Sequence, residues 1–201
     1  MSSATRFARI MITVCLSLWL ASCSVVGGGK ELTTYDLKAP ASFDNLSGQS
    51  NAQILVSVPT ALKSLDSEMI VVRPDSSEIT YFGDAQWSDK LPYVLQDKLI
   101  QTFENSGRIR SIVKPGDGVV IDYKIATAIR AFELNDAAQP TATIALSVKI
   151  INDRSGRVVS SRLFKASAPA GAATPAKAVD AMNRALDQVL KDILVWLLKT
   201  V

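Results

Sequence analysis

Apolar residues recur at every second position in several stretches of this chain, and at every third or fourth position in two others. In residues 53–59, Ile54, Val56 and Val58 share one side, the two-residue period of a half-buried strand. Met69-Ile70-Val71-Val72-Arg73 and Ile79-Thr80-Tyr81-Phe82 flank Pro74-Asp75-Ser76-Ser77, and turn formers between two β-rich runs predict a hairpin. The longest strand candidate is 119–134, where Val119, Ile121, Tyr123, Ile125, Thr127 and Ile129 lie on one face. Beyond Arg130 the apolar set moves to Phe132 and Leu134, and that one-residue slip of parity predicts a bulge or bend. Ile144, Leu146, Val148 and Ile150 alternate again, and Asn152-Asp153-Arg154-Ser155-Gly156 predicts a turn into a strand over 157–166. Residues 33–37 and 109–113 are shorter strand candidates.

Two stretches carry the helical period. Leu91, Leu95, Leu99 and Phe103 recur four apart, joined by Val94. Ser88 is the predicted N-cap with Asp89 in the first turn, Pro92 is tolerated there, and Gly107 ends the element. Near the end of the chain Thr174-Pro175 supplies a cap and a proline at the first helical position. Val179, Met182, Leu186, Val189, Leu190, Ile193, Trp196 and Leu197 then follow at helical spacing to about residue 199. Lys191 and Asp192 interrupt that stripe, so it does not read as a membrane span. The order of strands, helix, strands, helix predicts an α+β domain, with a single mainly antiparallel sheet and two helices packed on one face.

The first thirty residues follow a different logic. Arg6 and Arg9 precede an apolar run over 10–20 that contains only Thr13 and Ser17 as polar residues. That run is too short for the ~20 residues a bilayer span needs, and has the length of a signal-peptide core. It ends in Leu20-Ala21-Ser22-Cys23, which resembles the lipobox of bacterial lipoproteins. The resemblance implies removal of residues 1–22 and a diacylglycerol and an N-acyl chain on Cys23, with Ser24 after the cysteine implying outer-membrane export. An unmodified cysteine behind an ordinary cleaved signal is the competing reading. Each buried methylene contributes ~0.8 kcal/mol, so several acyl chains would hold the protein stably at a membrane surface. Residues 23–34, with Gly27-Gly28-Gly29, read as a lipidated N-terminus and flexible tether reaching at most roughly 40 Å, and 35–201 as the folded domain.

Composition then narrows the chemistry. Without residues 1–22 the formal charge falls from +3 to about +1, and no Lys/Arg stripe stands out, which argues against nucleic acid as a partner. Cys15 lies in the signal region, leaving Cys23 alone and no intrachain disulfide. The chain has no histidine, which removes the commonest general base, the Ser-His-Asp triad and most transition-metal sites. No cofactor and no metal site is expected, and catalysis is disfavoured, although carboxylate or lysine chemistry remains open.

Tyr35-Asp36-Leu37, Val58-Pro59, Ile70-Val71-Val72-Arg73, Ile79-Thr80-Tyr81-Phe82, Trp87-Ser88-Asp89-Lys90-Leu91-Pro92 and Asn105-Ser106-Gly107 follow the lipobox in that order. The set resembles the ABC-type transport auxiliary lipoprotein family, which includes the paraquat-inducible protein C-like lipoproteins. The departure is residues 140–174, a Ser/Thr/Ala-rich stretch without a family word. The resemblance implies a non-enzymatic outer-membrane partner of mammalian cell entry (MCE) domain proteins in a system moving phospholipid or other hydrophobic cargo. A second copy of the chain is a further candidate partner. The alternatives are a structural or regulatory lipoprotein, such as a cell-wall synthase activator or outer-membrane assembly factor, and a lipid-anchored hydrolase.

Three residues are candidate partner or lipid contacts, besides Cys23 as the lipidation site. Trp87 and Tyr81, with Phe82 beside it, have the aromatic character of interface anchors, against which stands ordinary core packing. Arg73 has a guanidinium that matches phosphate geometry, against which stands a solvated strand end. Asp122 and Lys124 read as the wet side of a strand.

Overall fold

The computed structural model describes residues 32–44, 46–75 and 77–201. Cys23, the lipobox and most of the tether lie outside these residues. The described elements are β1 (Thr33–Tyr35), β2 (Ser50–Val56), β3 (Met69–Arg73), β4 (Thr80–Trp87), α1 (Leu91–Asn105), β5 (Ile109–Val113), β6 (Tyr123–Asn135), β7 (Thr141–Asn152), β8 (Val158–Pro169) and α2 (Pro175–Thr200).

Everything is arranged along β6. One of its edges pairs with antiparallel β7 from Tyr123↔Asn152 to Asn135↔Thr141, and β7 in turn pairs antiparallel with β8. Its other edge is shared. Tyr123–Ile125 pairs parallel with β2, Thr60 bridges Ala128, and Glu133–Asn135 pairs parallel with β3. The sheet thus divides into a β2–β5 arm and a β3–β4–β1 arm. Residues 50–73 in effect run once along β6, with an excursion between the two contacts.

The expected mainly antiparallel sheet is therefore corrected to a mixed one, and the α+β class holds. Four of the strand pairings are parallel and three antiparallel. The physical reason is that periodicity reports a half-buried strand without reporting its neighbour. The short strands β1, β2 and β3 reach parallel partners through connections that local turn chemistry does not announce.

The parity slip in β6 is a bulge at Arg130. The ladder steps from Ile129↔Leu146 to Ala131↔Ala145, leaving Arg130 without a cross-strand partner. Ile125, Thr127 and Ile129 point inward before it, Phe132 and Leu134 after it. The predicted β3–β4 hairpin also forms, closed by Asp75, whose Oδ1 accepts the backbone N–H groups of Ser77 (2.6 Å) and Glu78 (2.9 Å). Residues 119–122, expected to open the long strand, lie before it, with Val120 exposed.

Helix α1 begins three residues later than its expected cap. Ser88 does not cap it: Leu91 donates its N–H to the Ser67 carbonyl (3.0 Å), and Pro92 has no N–H to satisfy. Gly107, at φ +60°, follows the last turn in the left-handed conformation that glycine adopts without penalty. Helix α2 starts after Thr174 with Pro175 at its first turn, as expected. Its buried stripe from Ala178 to Leu198 lies against β7 and β8, while α1 lies against β2 and β5. Both helices close one continuous core, in which Ile54, Val56, Leu95, Leu99, Ile144, Leu146, Leu186 and Leu190 are fully buried. Among the described residues no helix is long and apolar enough to cross a membrane.

Both helices leave the opposite face of β6, β7 and β8 uncovered. Lys124, Ala126, Ala128, Ser147 and Lys149 alternate with the core residues there, none of them fully buried, and Leu163 of β8 stands opposite Ser147 and 59% exposed.

Candidate docking site

The aromatic anchor expected at Trp87 is not at the surface. It closes β4 one pair-step after inward-facing Ala85, is 1% exposed, and meets the Phe132 ring edge-on at 5.8 Å. Its backbone N–H is bound to the Glu68 carbonyl at 2.7 Å. The docking role proposed for Trp87 is therefore corrected to core packing: the last inward position of a strand leading into a helix is where a large ring fills space between the two. Tyr81 and Phe82 are half-buried and pack against the same core.

Arg73 ends β3, and its Nε lies 2.7 Å from Glu133 Oε2 on the neighbouring β6. The guanidinium is thus already engaged with a carboxylate of its own domain, which is neither the solvated strand end nor a vacant phosphate site. The hairpin register sets Val72 opposite Thr80 and Met69 opposite Gln86, so Arg73 and Trp87 sit at opposite ends of it. The three residues do not form one site.

Two family-like words, far apart in the chain, do come together. Thr33–Tyr35 pairs parallel with Ala85–Trp87, which carries Asp36 to the start of α1. There Asp36 Oδ2 accepts from Lys98 Nζ at 2.9 Å, and Oδ1 accepts from the Leu37 N–H at 2.9 Å and the Ser88 hydroxyl at 3.2 Å. Burial raises the Asp36 carboxyl pKa, but the Lys98 hydrogen bond and charge and the two Oδ1 bonds outweigh it, and the pKa lies below the ordinary aspartate value. Lys98 itself is buried, also near Asp97 at 3.4 Å, and Leu37 beside it is in the core. This knot fastens the first strand to the first helix, at the point where the chain enters the domain.

The uncovered sheet face carries a groove whose charged lining residues are all cations. It encloses about 370 Å³ between residues 57–60 and the outer positions of β6 and β7, lined by Ser57, Val58, Thr60, Lys124, Arg130 and Lys149. The backbone of Thr60 holds the excursion in place, donating to the Thr127 carbonyl (2.9 Å) and accepting from the Ile129 N–H (2.8 Å). Lys149 sits opposite Ala126, two residues from Lys124 on the same face, which makes the two lysines diagonal neighbours across the ladder. No acidic residue lines the groove. Among the described residues, none of its three cations takes part in an ion pair. Sequence reading passed over this cluster because Lys124 and Lys149 lie 25 positions apart and each alone is an ordinary solvated residue. The available signal was the number of lysines at outward positions of predicted neighbours.

A larger groove of about 710 Å³ lies at the other end of β2, lined by Ser50, Asn51, Val120, Asp122, Asn152 and Arg154. Its charges are mixed, and Asp122 already accepts the Gln53 N–H at 2.9 Å. Among the described residues no group of three or more carboxylates, thiols or imidazoles is placed to hold a metal ion.

Comparison with known proteins gives a consistent picture. Residues 35–194 match the family model described as the ABC-type transport auxiliary lipoprotein component. The crystal structure of a Xanthomonas campestris protein of family DUF330 superposes with a TM-score of 0.79 at 32% identity, covering 84% of this chain and 95% of that one. A hypothetical protein of Chlamydia trachomatis shares the fold at 9% identity and a TM-score of 0.52, covering 74% of this chain and 97% of the other. An uncharacterized protein of Bradyrhizobium diazoefficiens is 29% identical over 174 residues, which is 86% of this chain and 47% of that protein. This chain thus spans about half the length of that curated relative.

Proposed function

Given that this chain belongs to the ABC-type transport auxiliary lipoprotein family, we propose that it is a non-enzymatic outer-membrane lipoprotein serving an ABC/MCE-type system that moves phospholipid between the two membranes. The single observation that carries the reading is the family match, which spans the domain from β1 into α2. The association with an ABC transporter follows from the family. The MCE partner, the outer membrane and the lipid cargo are the proposed part.

The physical picture is a tethered adaptor. Acyl chains on Cys23 hold the N-terminus in the membrane, and residues 24–32 give the domain a standoff of a few tens of ångströms. The Asp36–Lys98 knot fastens the start of the folded domain, just after β1, to α1. The domain presents a surface to the transporter instead of performing chemistry on its cargo.

The test is affinity purification of the full-length chain from detergent-solubilised envelopes of its native host, followed by mass spectrometry. The expected result is co-purification of an ABC transporter ATPase or permease together with an MCE-domain protein, enriched at least tenfold over an unrelated lipoprotein. Recovery of a cell-wall synthase or an outer-membrane assembly protein instead would overturn it in favour of the regulatory alternative.

A further inference from the structure

We infer that the uncovered face of β6, β7 and β8 is the surface on which this protein docks an acidic segment of a protein partner. The inference rests on the accessory reading above and assigns that role a place on the molecule.

The argument starts from charge. At outward positions this face carries Lys124 and Arg130 from β6, Lys149 from β7 and Lys165 from β8, the last opposite Ala145. Its one outward acid in those strands, Glu133, is already held by Arg73 at 2.7 Å. The domain's overall charge is close to neutral, so the excess is a local arrangement and not a by-product of a basic chain. Lys124 and Lys149 repel one another as diagonal neighbours, and a carboxylate between them would relieve that repulsion.

Shape decides between a protein and a lipid surface. The floor between the cations is Ala126, Ala128 and Ser147, which lets the backbone of a partner element come close. The floor itself offers a bilayer no large apolar side chains to insert, with Leu163, Val58 and Val158 only at its margins. The groove is open, and the hydroxyls of Ser57, Thr60 and Ser147 border it as further hydrogen-bonding groups. Unpaired cations around a flat, small-residue centre match a partner that is acidic and polypeptide.

The experiment places the photo-crosslinker p-benzoylphenylalanine at Leu163 of the full-length chain in its native host, with Tyr93 on α1 as a control position. Both side chains are exposed, at 59% and 49%, so the bulky group is accommodated. The expected result is an adduct at Leu163, absent at Tyr93, whose partner peptide is net acidic. Its yield should fall at least tenfold in Lys124→Glu/Lys149→Glu and less in Lys124→Gln/Lys149→Gln. Changing the acids of the crosslinked peptide to lysine should restore the yield with the Glu variant. An adduct with the mass of a phospholipid, a partner peptide without net negative charge, a yield insensitive to both double variants, or no adduct at all would overturn the inference. If transporter components still co-purify under any of these outcomes, the accessory function stands and only the assigned surface fails.

Discussion

Asp36 joins three elements through one carboxylate. It accepts from the backbone after β1, from Ser88 just after β4, and from Lys98 within α1. Lys98 is the partner with most at stake, because its side chain is 8% exposed whereas that of the aspartate is 55% exposed. Removing the carboxylate charge leaves a largely desolvated cation with only Asp97 at 3.4 Å. Asp36→Asn is expected to destabilise the domain at pH 7 by about 0.5–1 kcal/mol, a figure discounted for the solvent around the aspartate. The pH dependence follows from the direction of the shift. A carboxyl whose folded pKa lies below the unfolded value adds stability that is fully present above the unfolded value near 3.8. That stability is lost as the pH falls through the lower folded value. The difference between the wild type and Asp36→Asn, measured by urea denaturation, should therefore be constant from pH 7 to about 5 and shrink below about 4. A difference that grew on acidification would contradict this account of the knot.

Elements were legible wherever burial imposed a period, and ambiguous wherever a neighbour had to be named. The bulge at Arg130 was readable because both halves of β6 are one-face-buried, so a slip of one residue shows as a change of apolar parity. The start of α1 was misread at Ser88 because a serine before an apolar helix looks like a cap, whereas here its hydroxyl serves Asp36. Trp87 was open to two readings because sequence does not say whether the last residue of a strand faces in or out. The parallel pairings of β2 and β3 with β6 had no local signature at all. Deletion of Arg130 tests the element directly. It leaves Phe132 and Leu134 two and four positions after Ile129, on the same inward parity in an unbroken ladder, so the protein should keep cooperative unfolding, seen by circular dichroism on heating. Arg130→Ala, which keeps the extra residue and removes only an exposed side chain, should stay within ~0.5 kcal/mol of wild type. Loss of cooperative unfolding on the deletion alone would contradict the reading of Arg130 as the one extra residue of the bulge.

At the scale of the whole molecule, the helices cover one face of the sheet and leave the other to solvent, and the chain enters along the edge strand β1. The chemistry that most enzymes draw on is thin here, since the chain has no histidine, and the family is that of an auxiliary transport lipoprotein. The proposed accessory role asks of the domain that it be held in place and touched, which makes the proposed attachment at Cys23 its premise. The family, the class of fold and the approximate places of the strands were legible in the sequence, while many of their ends lay a few residues off. The docking face was not, because it is assembled from lysines and an arginine on separate strands whose adjacency only the ladder reveals. The most direct measurement is the intact mass of the protein extracted from native envelopes, with its N-terminal peptide sequenced by tandem mass spectrometry. The account predicts a chain beginning at Cys23, heavier than its residues by a diacylglycerol and a third acyl chain. A chain that retains residues 1–22, or one that begins with an unmodified thiol, would contradict it.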